Sequence, residues 1–147
     1  MKKIGIGSDH AGYDFKKTII EQLFDLGYKV EDVGATSINS VDYPDHVHPL
    51  ASKIDKGELP LGILICGTGN GVAMTANKYQ NVRCGLCWNE EIAQLIRQHN
   101  NANILAIPAR FINIDLTQKI VALFLNTKFE GGRHQRRINK ITQRIIC

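Results

Sequence analysis

The segment Cys66-Gly67-Thr68-Gly69-Asn70-Gly71 places three glycines within five residues directly after the apolar run Leu61 to Cys66. A strand that passes through such a turn into a helix lets backbone N–H groups converge on an anion at the positive end of the helix dipole. Cys66, at the lip of that turn, sits among donors that favour the thiolate, the form that acts as base or nucleophile. The same residues also describe a tight strand-to-helix turn with a small buried cysteine beside it, and the motif alone leaves both open. The loop is not a Walker loop, because the Lys-Ser/Thr pair is missing, and it lacks the full dinucleotide spacing G-x-G-x-x-G.

A second group lies near the C-terminus. Arg133 and Arg137 are spaced i,i+4 after Gly131-Gly132, so a helix starting there sets two guanidinium forks on one face, able to clamp a phosphate or simply to face solvent. His99-Asn100 closes a predicted helix, where a cationic imidazole is favoured by the dipole. Cys84 and Cys87 form a C-x-x-C inside a predicted strand; residues three apart there face opposite sides, which suits neither a redox pair nor a chelate. Asp45, His46 and His48 read as a polar helix entrance, since no second ligand cluster with strong spacing supports a metal.

These residues need a frame to hold them. Hydrophobic pattern and turn residues alternate as β-α units. Strands are expected at Lys3 to Gly7, Tyr28 to Val33, Leu61 to Cys66, Val82 to Cys87 and Ile104 to Ile107. Helices are expected at Gly12 to Leu26, Val47 to Lys56 with Pro49 in its first turn, Gly71 to Lys78, Glu90 to His99, Ile114 to Leu125 and Arg133 to Ile146, the last with Ile138, Ile141 and Ile145 on one side. The sum is an α/β, three-layer Rossmann-like sandwich with a five-stranded parallel sheet and an added C-terminal helix, one domain over residues 1–147. In the common strand order 2-1-3-4-5, the loops after the first and third strands flank the switch point where ligands bind.

Composition narrows the classes of function. With 147 residues, 44% hydrophobic and 22% charged, the chain matches an ordinary globular domain and excludes disordered or collagen-like classes. No apolar run approaches the ~18 residues that span a bilayer. Met1-Lys2-Lys3 is followed by only a few apolar residues before Asp9 and His10, so no signal peptide is read and a cytoplasmic location with no membrane partner is expected. Four cysteines (Cys66, Cys84, Cys87, Cys147) are too sparse for a secreted disulfide scaffold. The net charge of +4 is concentrated near the C-terminus, which points to a local anion site rather than to nucleic acid.

Five blocks, taken in order, resemble the type B ribose-5-phosphate isomerases. They are Gly7-Ser8-Asp9-His10-Ala11-Gly12, Asp42-Tyr43-Pro44, Cys66-Gly67-Thr68-Gly69-x-Gly71 followed by Ala76-Asn77-Lys78, Arg97-Gln98-His99-Asn100, and Glu130-Gly131-Gly132-Arg133-His134-Gln135-x-Arg137. That family also holds galactose-6-phosphate and allose-6-phosphate isomerases. The resemblance implies interconversion of D-ribose 5-phosphate and D-ribulose 5-phosphate through an enediolate, without metal or cofactor. It implies Cys66 as the base that moves a proton between C1 and C2, with Thr68 beside it, and amides of Gly67, Gly69, Asn70 and Gly71 around the enediolate. It implies His99 as the acid that opens the furanose ring, and Asp9, His10, Tyr43, Asn100, Arg110, Arg133 and Arg137 as sugar or phosphate ligands. Asn70 stands where such loops more often carry an aliphatic residue. The alternatives are a hexose-6-phosphate isomerase and a non-catalytic sugar-phosphate-binding module.

Topology adds one expectation. Cys66 ends a strand, whereas His99 ends a helix that runs back antiparallel to the strands, roughly 15 Å of helix away. If both serve one site, His99 must come from a partner, most simply across the two-fold axis of a homodimer with two shared sites.

Overall fold

The computed structural model describes residues 1–143. Its strands are β1 (Lys2–Ser8), β2 (Tyr28–Asp32), β3 (Gly62–Cys66), β4 (Cys84–Leu86) and β5 (Ile104–Pro108), all parallel. The helices are α1 (Tyr13–Asp25), α2 (Tyr43–Asp55), α3 (Asn70–Ala76), α4 (Glu90–Gln98), α5 (Ile114–Asn126) and α6 (Arg133–Asn139).

The strand order is β2-β1-β3-β5-β4, not the expected 2-1-3-4-5. Strand composition explains the exchange. Every residue of β5, Ile104–Pro108, is buried, as a strand covered on both faces must be. The β4 strand is only three residues long, against the six expected over Val82 to Cys87, and all three are half-buried, as befits an edge. The side-chain amide of Asn77, at the C-cap of α3, finishes that edge: Nδ2 donates to the Cys84 carbonyl at 2.9 Å and Oδ1 accepts from the Cys84 N–H at 2.8 Å.

Alternation along the strands fills two cores. Ile4, Ile6, Ile63, Ile65, Leu105 and Ile107 pack with Ile19, Leu23, Ile96 and Phe124 from α1, α4 and α5. Leu64, Cys66, Ile104 and Ala106 pack on the opposite face with Val47, Leu50, Ile54 and Val72 from α2 and α3. Cys84 belongs to the second cluster and Cys87 to the first, so the C-x-x-C straddles the sheet as its strand period predicts. Burial raises both thiols above their ordinary range, Cys87 to about 12, which keeps them protonated hydrophobes.

Two helix boundaries differ from expectation by more than two residues. Helix α2 starts four residues earlier than Val47, with Asp42 at its N-cap and Pro44 in its first turn, so Pro49 lies inside the helix. This puts Tyr43 on a helix rather than in a loop. Helix α6 stops at Asn139 and continues only as short i→i+3 turns, Lys140 N–H to Arg137 O at 3.1 Å and Ile141 N–H to Ile138 O at 3.0 Å. Ile141 is exposed beyond the helix end, and the expected stripe position Ile145 lies outside the described residues.

Lys16 is fully buried on α1 and ties down the segment between β2 and α2. Its Nζ donates to Asp32 Oδ1 at 2.7 Å, to Asp32 Oδ2 at 2.9 Å and to the Ala35 carbonyl.

Candidate active site

At the carboxyl end of β3, Cys66 is 4% exposed. The chain turns at once: Gly69 takes φ +73° at the N-cap of α3, which directs its N–H onto Cys66 Sγ at 3.1 Å. An N–H donor at this distance stabilises negative charge on sulfur more than it stabilises the neutral thiol. One of the amides expected for the enediolate is therefore directed at the Cys66 sulfur instead. The Asn70 N–H points to Thr68 Oγ1 at 3.3 Å, and both side chains are exposed at the mouth of the turn.

Neighbouring loops crowd this turn. A methyl group at Gly71 would lie 2.5 Å from Tyr43 Cζ, so the Tyr43 ring rests on the start of α3. A methyl group at Gly67 would lie 3.1 Å from Arg110 Nη1. Because β5 is next to β3, the residues after it bond directly to the turn: Ala109 N–H to Cys66 O at 2.9 Å and Arg110 N–H to Gly67 O at 3.0 Å. The corrected strand order thus brings Arg110 to the site.

From the other side comes the loop after β1. Asp9 donates its N–H to Ile65 O at 3.2 Å, one residue before Cys66. Asp9 is 8% exposed, and its carboxylate accepts from Ala11 N–H at 2.9 Å and Gly12 N–H at 3.1 Å. His10 Nδ1 accepts from Val41 N–H at 3.2 Å, which assigns the ring proton to Nε2 and leaves that proton free to donate. Cys66, Gly67, Thr68, Gly69, Asn70, Gly71, Asp9, His10, Tyr43 and Arg110 therefore gather at one end of the sheet.

His99, Asn100, Arg133 and Arg137 do not join them. The α4 helix ends at Gln98, just before β5 begins, and so at the amino ends of the strands. There His99 stacks on His134, with ring centroids 4.3 Å apart and planes 13° from parallel. His99, Asn100, His134 and Arg137 line a cleft of about 330 Å³, and Arg133 lies one turn before Arg137 on the same helix. The Glu130 N–H donates to Gln98 O at 3.1 Å and fastens this arm to the end of α4.

The sequence points to no role for His134, although it lies in the block Glu130 to Arg137; its burial, at 6% exposed, sets it apart. Burial, then the neighbouring His99 and Arg133, hold its imidazole below the usual range. His46 and His48 point to separate partners, Val33 O at 3.3 Å and Tyr79 Oη at 2.8 Å, and do not converge with Asp45.

Comparison with known proteins supplies the deciding observation: residues 4–141 match the family described as Ribose/Galactose Isomerase. The chain belongs to that family. Among Ribose/Galactose Isomerase relatives, ribose-5-phosphate isomerase B of Escherichia coli (strain K12) is 42% identical over 142 residues, covering 97% of this chain and 95% of that one. A solved ribose-5-phosphate isomerase B from Clostridium thermocellum superposes with a TM-score of 0.94 at 45% identity, covering 96% of this chain and 95% of that one. The enzyme of Mycoplasma genitalium, solved with bound ribulose-5-phosphate, superposes with a TM-score of 0.92 at 47% identity, covering 96% of this chain and 94% of that one. The fold of the Ribose/Galactose Isomerase family is therefore that of the five-stranded parallel sheet described above.

Proposed function

We propose that the chain interconverts D-ribose 5-phosphate and D-ribulose 5-phosphate through an enediolate, as a homodimer whose two sites each draw on both chains. The observation that carries the chemistry is the Gly69 N–H on Cys66 Sγ, which provides a base at the positive end of α3. The ribulose-5-phosphate bound to the similar Mycoplasma genitalium enzyme supports the choice of substrate.

Starting from the aldose, the Cys66 thiolate takes the proton from C2. The electron pair moves into the C1–C2 bond, and charge develops on the C1 oxygen. N–H groups of the turn stabilise that charge, the Gly71 amide among them, since a first-turn amide has no intrahelical acceptor. The thiol then returns the proton to C1 as the C2 hydroxyl becomes the ketone. Thr68, at the mouth of the turn, assists proton movement between the two oxygens. Before this, His99 donates a proton to the ring oxygen as the bond from it to C1 breaks, and the C1 hydroxyl releases its proton to solvent to become the aldehyde. Arg133 and Arg137 hold the phosphate, with Arg110 and His10 contributing from the Cys66 side; Asp9, Tyr43 and Asn100 bind the sugar. Remote phosphate binding orients a small flexible chain for the proton transfer.

The division of these groups between opposite ends of the sheet supports the dimer. So does a rim of exposed apolar residues around the Cys66 end, with Ile38 66%, Trp88 51% and Phe111 72% exposed, of the kind that marks an interaction surface.

The test is turnover of ribose 5-phosphate, allose 6-phosphate and galactose 6-phosphate side by side, with solvent deuterium entry at C2 of ribose 5-phosphate. The expected result is highest kcat/KM on the pentose phosphate together with exchange. A higher kcat/KM on either hexose phosphate would overturn the substrate assignment, and absence of exchange would overturn the enzymic one.

A further inference from the structure

The two ends of β4 carry features that the chemistry above does not use. A cleft of about 680 Å³ flanks its amino end, lined in part by Lys78, Tyr79, Arg83, Ile96, Asn100 and Ile141. Arg83 Nε donates to the Asn100 and Asn101 carbonyls at 3.1 Å each, and the two terminal nitrogens of its guanidinium have no acceptor among the described residues. Two residues beyond the carboxyl end of β4, Trp88 is 51% exposed, and Glu90 and Glu91 follow it in the first turn of α4. Trp88 is the only tryptophan in the chain. Among the described residues, Lys78, Arg83 and Glu91 make no ion pair. One strand thus bears an aromatic, acidic projection at its carboxyl end and a basic, partly apolar recess at its amino end.

Symmetry relates the two. If each Cys66 meets the other chain's His99, the carboxyl end of each sheet lies against the amino end of the other. A two-fold axis makes both contacts only when the chains lie side by side with their strands antiparallel. The β4 edge is the side that permits this. Helix α3, which follows Cys66, packs on β4, and α4, which ends before His99, lays Ile96 against Gly85 of β4, whereas β2 is at the far side of the sheet. Asn77 already occupies both backbone groups of Cys84, so the chains meet there through side chains.

We infer that Trp88 of each chain seats in the β4 cleft of a second copy, against Tyr79, Arg83 and Ile141, with Glu91 beside Lys78 of that copy. The inference rests on the shared-site dimer of the proposed function and names the surface that builds it. Trp and Arg are the residues that most often anchor an interface from within a pocket, and a guanidinium over an indole face is attracted more strongly once water leaves. Opposite charges at the rim fix the register of approach. Asn100 lines both this cleft and the one beside His99, so seating Trp88 sets the carboxyl end of one chain next to the ring-opening group of the other.

Sedimentation over a dilution series should show Trp88→Ala dissociating at least about tenfold more readily than the parent, the scale of losing an interface anchor. Its turnover of ribose 5-phosphate should fall at low chain concentration and return at high concentration. Lys78→Glu and Glu91→Lys, both at exposed positions, should each weaken the dimer, and the double variant should restore it. Trp88 emission should be shielded from acrylamide in the parent and accessible in Lys78→Glu. Equal quenching in those two proteins, a Trp88→Ala dimer as tight as the parent, or charge reversal that the double variant does not mend would each overturn this contact. Activity regained on mixing Cys66→Ser with His99→Asn would then still uphold shared sites through another surface. A parent that sediments as a monomer at full turnover would overturn the shared site and this contact with it.

Discussion

The N–H of Gly69 donates to the sulfur of Cys66 across 3.1 Å, and the φ of +73° at Gly69 is what aims it there. The Cys66 sulfur and the donor to it are thus fixed by a single turn of backbone. Cys66→Ser should keep the fold and phosphate binding, because serine fits the same space, but lose isomerisation by on the order of 10²–10⁴-fold, the usual worth of a positioned base. Steady-state turnover checks this, and a near-parental kcat in the serine variant would remove Cys66 from the mechanism.

Gly69→Ala should damage both stability and rate. Its added methyl would meet Leu86 Cδ1 at 2.3 Å, and alanine at positive φ is strained besides. The expected loss is about 1–3 kcal/mol of unfolding free energy, read from urea midpoints, with a fall in kcat larger than the change in KM. Unchanged kcat would show that the donor to sulfur is dispensable.

Arg137→Ala should weaken binding of ribose 5-phosphate by about 1.5–3 kcal/mol, the usual loss for a charge-assisted hydrogen bond. Its exposed position on α6 keeps the substitution from disturbing the core. Calorimetry on the inactive Cys66→Ser background isolates this effect from turnover, and unaltered affinity there would argue against the two-arginine clamp.

Mixing Cys66→Ser with His99→Asn under subunit exchange should restore activity from two inactive proteins. With random pairing, roughly a quarter of all sites regain both intact groups, since each mixed dimer concentrates both defects in one site. Silence after verified exchange would place Cys66 and His99 of one site in the same chain.

Acid should destabilise the chain through His134. Burial, followed by His99 and Arg133, depresses its folded value, so just below the ordinary imidazole value the unfolded chain binds more protons than the folded one. Stability therefore rises with pH through that window and is lost as pH falls below about 6.5. Urea midpoints for wild type and His134→Gln at about pH 5.5 and 7.5 test this; an equal loss in both proteins would assign the effect elsewhere.

Periodicity made most of the frame legible. Continuous apolar runs marked β3 and β5, and the strand period placed Cys84 and Cys87 on opposite faces of the sheet. Strand order was not legible, because adjacency depends on which of two segments is apolar enough for the centre, a comparison between β4 and β5 rather than a property of either. The start of α2 was hidden because Asp42, Tyr43 and Pro44 also read as loop. The glycine turn announced Cys66 and the i,i+4 arginines announced α6. The His99–His134 stack left no local pattern, since its two rings come from segments joined only in the folded chain.

Asn77 lies within one of the recognisable sequence blocks yet holds the edge of the sheet instead of facing the cysteine. Its carboxamide has the donor and acceptor of a peptide group, and it occupies both backbone groups of Cys84 on the side where a sixth strand would attach. At that rung the sheet is already terminated. An extended segment from another molecule must first expel Asn77 before it can pair with Cys84, so this one side chain guards a short open edge against polymerisation and aggregation.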